Sequence, residues 1–358
     1  MRHRFEINLT LLQFHYAELF VKLQLLKQFQ IKFRCSLAYI ILISFTNSNY
    51  GQHYQMHPDI KIDTSYSVNS AYQKIIKKYP EISVARYSSK YQIQVYRNLI
   101  YQNYDKRAMH LDIFIPGIQN SKPRPCVLLI HGGGWNSGDK SMLEPYAFAL
   151  ADYGFIAITV EYRFSDEENY PASVMDIKNA TKWVHLNAKK YGIESTKISI
   201  LGCSAGGQLA SLVGVTSHLD IFKDPTADSK HYPKINAIIN IDGIISFIHP
   251  LSEEGKDQNK KGAAEKWFGV HYTVDSAKWI EASPLTYVGA NSPPVLFIAS
   301  SFSRFNAGRE NMIVILNKYN VYNEKHIFNH APHTFWLFNP WFKPTLSILT
   351  EFLSKINQ

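Results

Sequence analysis

Cysteine is scarce in this 358-residue chain, with three in all, and one of them lies among the first fifty residues. The remaining pair, Cys126 and Cys203, falls in apolar strand-like or turn contexts, which suits buried free thiols better than a disulfide framework. After residue 51 there is no apolar run long enough to span a bilayer, no low-complexity tract and no internal repeat. Clustered basic residues are also missing. The formal charge is +9, but six of the 38 Lys+Arg and two of the 29 Asp+Glu lie within residues 1–51, which leaves +5 for the rest. Without a basic patch, that balance excludes nucleic acid as an expected partner. The histidines show no metal-ligand spacing, so no metal and no cofactor is expected. What remains is globular composition, 46% hydrophobic and 19% charged, at a length that suits one large α/β domain or two small ones.

The first fifty residues read as an address. Ile31-Lys32-Phe33-Arg34 is a basic lead into the apolar run Ser36–Phe45, which is too short to cross a membrane and ends in small and polar residues. A secretory signal cleaved between Thr46 and Gln52 is expected, with the residues ahead of it explained by an upstream start codon. The mature chain would then be secreted or periplasmic, with no stable membrane association. Residues 52–90 form an N-terminal segment, polar and tyrosine-rich with a short helical pattern at Ala71–Tyr79, and residues 91–358 form the main domain.

The most informative stretch is Lys197–Ala210. A β-branched strand runs into Gly202-Cys203-Ser204-Ala205-Gly206, and a helix opens on small residues. This fits G-x-S-x-G, the sharp turn that lifts a serine hydroxyl off the end of a buried strand. Glycines are needed there because the turn and the close helix leave no room for β-carbons. A dinucleotide-binding turn is excluded, since G-x-G-x-x-G spacing is absent at this turn. Upstream, the apolar strand Cys126–Ile130 empties into His131-Gly132-Gly133-Gly134-Trp135, a loop whose backbone amides could face an oxyanion.

Helix and strand alternate through the rest. Strands are expected at Phe155–Val160, Ile198–Leu201, Ile238–Ile241, Val295–Ala299 and Lys325–Phe328, after a β-hairpin between Tyr91 and Pro116. Helices are expected at Tyr146–Tyr153, around Val174–Val184, from Ser204 to about His218, at Glu310–Tyr319 and at Pro344–Ile356. This order predicts an α/β fold with a mostly parallel central sheet flanked by helices. Leu251–Trp267 is charged and loosely patterned, and reads as a lid or site rim. His333 lies beyond the last strand, where such an architecture needs a general base, with His330 as a shielding neighbour. Asp176 reads as a supporting carboxylate near a helix start.

Taken together, these pieces resemble α/β-hydrolase esterases with an His-Gly-Gly-Gly oxyanion loop, and most closely secreted bacterial carbohydrate esterases related to acetyl-xylan and feruloyl esterases. The resemblance rests on His131–Trp135, Glu161-Tyr162-Arg163, Tyr170-Pro171-Ala172 with Asp176, Gly202–Gly207, Ala282-Ser283-Pro284-Leu285 and Ala331-Pro332-His333, and spans roughly residues 91–357. It implies Ser204 as nucleophile, His333 as base, and the amides of Gly133, Gly134 and Ala205 as oxyanion donors. It also implies a small-molecule or polysaccharide ester as substrate. One piece departs from the pattern. Such enzymes carry the triad acid in the loop after the penultimate strand, and here that loop, Ile298–Phe305, has no carboxylate. Asp242, at the end of the preceding strand, is the favoured substitute, ahead of Glu310 and of a Ser-His dyad. Trp135, Trp267, Trp336 and Trp341 either stack on sugar rings or pack in the core. A peptidase would need an additional domain to restrict access, and residues 52–90 are too few for one. A silent hydrolase fold used for binding has only the displaced acid in its favour.

Overall fold

A computed structural model of the chain describes residues 65–105, 107–117, 122–223, 232–252 and 261–358. The expected signal segment lies outside the described residues, as does part of the expected rim, 253–260.

The main sheet has eight strands: β2 (Ile93–Tyr104), β3 (Arg107–Pro116), β4 (Arg124–Ile130), β5 (Ile156–Val160), β6 (Ile193–Cys203), β7 (Ala237–Ile241), β8 (Val295–Ser300) and β9 (Asn323–Phe328). Their spatial order is β2-β3-β5-β4-β6-β7-β8-β9. The β2–β3 and β3–β5 pairs are antiparallel, and every pair from β5 to β9 is parallel. Strand β6 is central and carries the serine turn at its C-terminal end.

Side-chain alternation divides the strands between two cores, as a sheet covered on both faces requires. Cys126, Leu128 and Ile130 of β4 point to one face with Ile198 and Ile200 of β6 and Val295 and Phe297 of β8. Val127 and Leu129 point to the other, with Leu201, Ile239, Leu296 and Ile298. The first face is covered by α3 (Ala172–Leu186) through Val174, Ile177 and Val184, by α5 (Ala205–Val215) and by α8 (Arg309–Lys318) through Met312 and Leu316. Covering the second are α2 (Glu144–Asp152) and the closing helix α9 (Phe342–Ile356), whose Leu346, Leu349, Phe352 and Leu353 recur at helical spacing. Each such side chain contributes about 1.5–3 kcal/mol on burial.

Before the sheet come α1 (Val68–Ile75) and the two-residue β1 (Ser83–Val84). A Ser67–Ser70 capping box starts α1. Strand β1 pairs antiparallel with β10 (Phe338–Asn339), and Ala71, Ile82 and Ala85 enter the second core. Residues 65–90 are thus packed onto the main domain. Short helices α4 (Ala188–Tyr191), α6 (Ala263–Phe268) and α7 (Ser276–Glu281) complete the set.

Candidate active site

The C-terminal ends of β4, β6, β7, β8 and β9 face the same edge of the sheet, and each delivers one part of a cluster. Ser204 follows β6 with φ +55° and ψ −120°, a left-handed backbone that L-residues rarely adopt. The strain is held by neighbours. The Ser204 amide donates to the Ile241 carbonyl at 2.8 Å, and its own carbonyl accepts the first α5 bond from Gln208 at 3.0 Å. A β-carbon on Gly206 would lie 2.2 Å from the Ile130 carbonyl oxygen and 2.5 Å from that of His131, so only glycine lets α5 pass β4 this closely.

His333 bridges two partners. Its Nε2 lies 2.8 Å from Ser204 Oγ and its Nδ1 lies 3.0 Å from Asp242 Oδ2. Asp242, directly after β7, is fully buried, whereas a quarter of the His333 side chain is exposed. The imidazole is therefore reachable and the carboxylate is hidden. Because a carboxylate only accepts, Nδ1 carries the proton and Nε2 is free to take one from the serine hydroxyl. The second carboxylate oxygen, Oδ1, accepts the Ser300 amide at 2.7 Å. Both oxygens are thereby fixed. Asp242 itself has φ +50°, which turns it off the line of its strand.

The other candidates sit elsewhere. Glu310, in the first turn of α8, pairs with Lys325 at 2.9 Å and with Arg309 at 3.0 Å, and is more than half exposed. His330 also has a left-handed backbone but joins neither Ser204 nor Asp242 by a hydrogen bond. Asp176 is buried against Arg163 at 2.9 Å and takes the Tyr104 hydroxyl at 2.6 Å, a brace between β2, α3 and the segment after β5.

The glycine loop abuts the serine. A β-carbon on Gly132 would meet Ser204 Cβ at 3.1 Å, while Gly133 and Gly134 have φ of +128° and +61°. The Gly133 carbonyl is turned into its own loop, accepting the amides of Asn136 (3.2 Å) and Ser137 (3.1 Å). Among the described residues, the Gly133 and Gly134 amides donate to no protein acceptor. The Ala205 amide opens α5 and so has no carbonyl one turn back within the helix. His131 is buried, its Nδ1–H donating to the Gly132 carbonyl at 2.7 Å and its ring stacked on Tyr162. Burial holds its pKa below the ordinary histidine range, so it stays neutral. Cys203, beside the serine, is buried and its thiol is pushed up by burial and by Asp242, which keeps it protonated.

Five interactions at the site had no clear signal in the sequence. Trp135 donates from Nε1 to Gln208 Oε1 at 3.0 Å, and Gln208 donates onward to the Ala282 carbonyl at 2.9 Å, which ties the glycine loop to α5 and to the Ala-Ser-Pro-Leu stretch. The Tyr162 hydroxyl donates to the His131 carbonyl at 3.1 Å, Ser300 supplies its amide to Asp242, and Phe305 stacks on His333. The tryptophans belong to the core rather than to a sugar platform. Trp267 is fully buried, stacked on Trp135 at 5.0 Å and bonded to Ser173, and Trp336 is buried edge-on to His333. Of these four candidates only Trp341 is partly exposed, and it packs edge-on against Tyr79. Among the described residues no three potential metal ligands gather, and no helix is long and apolar enough to cross a membrane.

Residues 111–302 match the family BD-FAE, a stretch that holds the glycine loop, Ser204 and Asp242. The chain belongs to the BD-FAE family. It is 27% identical over 204 residues to esterase LipC of Mycobacterium tuberculosis, spanning 55% of this chain and 49% of that protein. It is 28% identical over 196 residues to the probable carboxylic ester hydrolase LipM of the same organism, spanning 52% of this chain and 43% of that one. The chain thus spans about half the length of these relatives. In structure, this BD-FAE member superposes on propionate-bound esterase 2 of Thermogutta terrifontis with TM-score 0.60 at 24% identity, covering 74% of this chain and 94% of that one. A truncated carbohydrate esterase from gut microbiota gives TM-score 0.61 at 19% identity, covering 76% and 98%. The fold is that of the α/β-hydrolases.

Proposed function

We propose that this BD-FAE member is a serine carboxylic-ester hydrolase, with Ser204 as nucleophile, His333 as general base and Asp242 as the triad acid. The observation that carries the reading is the continuous hydrogen-bonded chain from Ser204 Oγ through His333 to Asp242, 2.8 and 3.0 Å long, beside a glycine loop with free amides.

In this mechanism Ser204 Oγ attacks the ester carbonyl while its proton passes to His333 Nε2. Asp242 keeps the imidazole in the required tautomer and stabilises the imidazolium. The amides of Gly133, Gly134 and Ala205 hold the tetrahedral oxyanion, aided by the positive end of α5. His333 then returns the proton to the departing alkoxide. Water, deprotonated by His333, attacks the acyl-serine and releases the acid. No step calls for a metal or a cofactor.

The finer reading is a secreted enzyme that removes acetyl or feruloyl groups from plant cell-wall polysaccharide. Support comes from the motif resemblance, from the gut-microbiota carbohydrate esterase among the structural neighbours, and from the short apolar run at Ser36–Phe45. The test is hydrolysis of 4-nitrophenyl acetate, methyl ferulate and acetylated xylan by the full chain beside Ser204→Ala. Activity is expected on an acetyl or feruloyl ester, falling by at least about 10³-fold in the variant. Wild-type turnover that survives Ser204→Ala, or none on any ester, would overturn the reading.

A further inference from the structure

The loop after β8, Ile298–Phe305, carries no carboxylate, yet it reaches the histidine. Phe305 lies flat on the His333 imidazole, with ring centroids 3.4 Å apart and planes 5° from parallel, while Trp336 meets the same imidazole edge-on at 5.2 Å. The loop is clamped at both ends to the segment around Asp242. At one end the Ser300 amide donates to Asp242 Oδ1 at 2.7 Å. At the other, the Ala307 carbonyl accepts the amides of Ile245 (2.8 Å) and Ser246 (3.1 Å), and Gly308 turns with φ +80° against Ser246.

We propose that Phe305 is a positioning residue for His333, held by a loop that is itself fixed to the segment around Asp242. This rests on the ester-hydrolase reading above and deepens it. A histidine ring has a broad χ2 well, so two hydrogen bonds at its edge leave it free to tilt about the line joining them. A flat ring against one face, with the Trp336 edge at another side, removes that freedom. The stacking also responds to charge. Face-to-face contact is not the preferred arrangement of two neutral rings, whereas a cation over an aromatic face is attracted by the quadrupole. The contact is therefore strongest when Ser204 has passed its proton to His333, the state in which the tetrahedral intermediate forms.

The test compares Phe305→Leu and Phe305→Tyr with wild type in the full chain, by ester kinetics and by proton NMR of the hydrogen-bonded Nδ1–H of His333. In Phe305→Leu, kcat should fall about 3- to 30-fold with KM within twofold, and the Nδ1–H resonance should broaden by exchange with solvent. Phe305→Tyr, which restores the ring, should recover both. A wild-type kcat and resonance in Phe305→Leu, an effect confined to KM, or no recovery in Phe305→Tyr would overturn the proposal. If Phe305→Leu does not melt cooperatively, Phe305→Met is read by the same criteria. Should the wild type hydrolyse no ester, the functional reading falls, and the resonance comparison still decides the role of Phe305.

Discussion

Replacing Asp242 by asparagine is the sharpest test of where the acid resides, because the structure dictates how the amide must sit. Ser300 points a backbone N–H at Oδ1 from 2.7 Å, and that amide cannot turn away. An asparagine therefore keeps its carbonyl oxygen there and presents its NH₂ to His333 Nδ1. The opposite orientation would face one N–H with another in a buried site, at a cost of about 1–3 kcal/mol for each unpaired group. With an N–H donor opposite, Nδ1 must become the acceptor, and the ring proton moves to Nε2. All hydrogen bonds are then satisfied, but in the one tautomer that cannot accept a proton from Ser204. The expected loss in kcat is on the order of 10⁴, or about 5.5 kcal/mol of activation free energy. Stability should change by less than about 1 kcal/mol, since no buried group is orphaned. Asp242→Ala strips the Ser300 amide of its acceptor and should lower stability by about 1–3 kcal/mol as well as activity. The assay is steady-state hydrolysis of 4-nitrophenyl acetate with urea unfolding of the same preparations, beside Glu310→Gln. Glu310, more than half exposed, pairs only with Arg309 and Lys325 among the described residues, so its variant should keep wild-type kcat and lose no more than about 1 kcal/mol. A kcat above one tenth of wild type in Asp242→Asn, or an equal loss in Glu310→Gln, would refute the reasoning.

Two further outcomes follow from buried side chains. Trp267→Ala, which empties a fully buried site between Trp135 and Phe268, should cost about 3–5 kcal/mol in urea unfolding without selectively raising KM for polysaccharide over small esters. Lys178 is buried, with only the carbonyls of Thr216 and Ile221 as hydrogen-bond acceptors among the described residues, and burial, reinforced by Lys223, pushes its pKa from 10.5 down to about 7. The unfolded chain holds this proton up to pH ~10.4, so between pH ~7 and that limit unfolding takes up a proton and stability rises with pH. The urea midpoint of wild type should therefore gain on that of Lys178→Met between pH 7 and 9.5, and parallel curves would disprove it.

The parallel strands were legible because both faces of the sheet are covered. Runs such as Val127–Ile130 and Val295–Ala299 are continuously apolar, and that feature marks a buried strand without needing a period. Where the chain obeys shorter rules the signal fades. The β1–β10 ribbon has two residues per strand, too few for any alternation, and β6 begins at Ile193, which pairs with Arg124 ahead of an irregularity that holds the polar Glu194–Lys197 stretch. Serine, histidine and glycine loop could be read from their order along the chain. The tryptophans could not be assigned, because an aromatic in a loop looks the same in sequence whether it lines a cleft or fills the layer beneath it. Trp135 and Trp267 stack on each other under the glycine loop, which is a contact between segments 132 residues apart.

The position of the proposed acid was the hardest part to read because it depends on which strands are neighbours, and no local pattern encodes that. Strand β7 lies between β6, which leads into Ser204, and β8, with Ile241 paired to Cys203 on one side and to Ile298 on the other. A carboxylate just past Ile241 therefore sits one strand spacing, about 4.8 Å, nearer the serine than one just past β8 would. His333 arrives from beyond β9, so it must lean across the end of β8 to reach both partners. Two conditions follow. The loop after β8 must leave that space open at hydrogen-bonding height, and something must support an imidazole extended so far from its own strand. Ser300 meets the first by turning its amide, not a side chain, toward Asp242, and Phe305 meets the second by lying flat against the ring. With Asp242 already on Nδ1, a carboxylate in Ile298–Phe305 would compete for the same His333 proton, and the loop instead presents the Ser300 amide and the Phe305 ring.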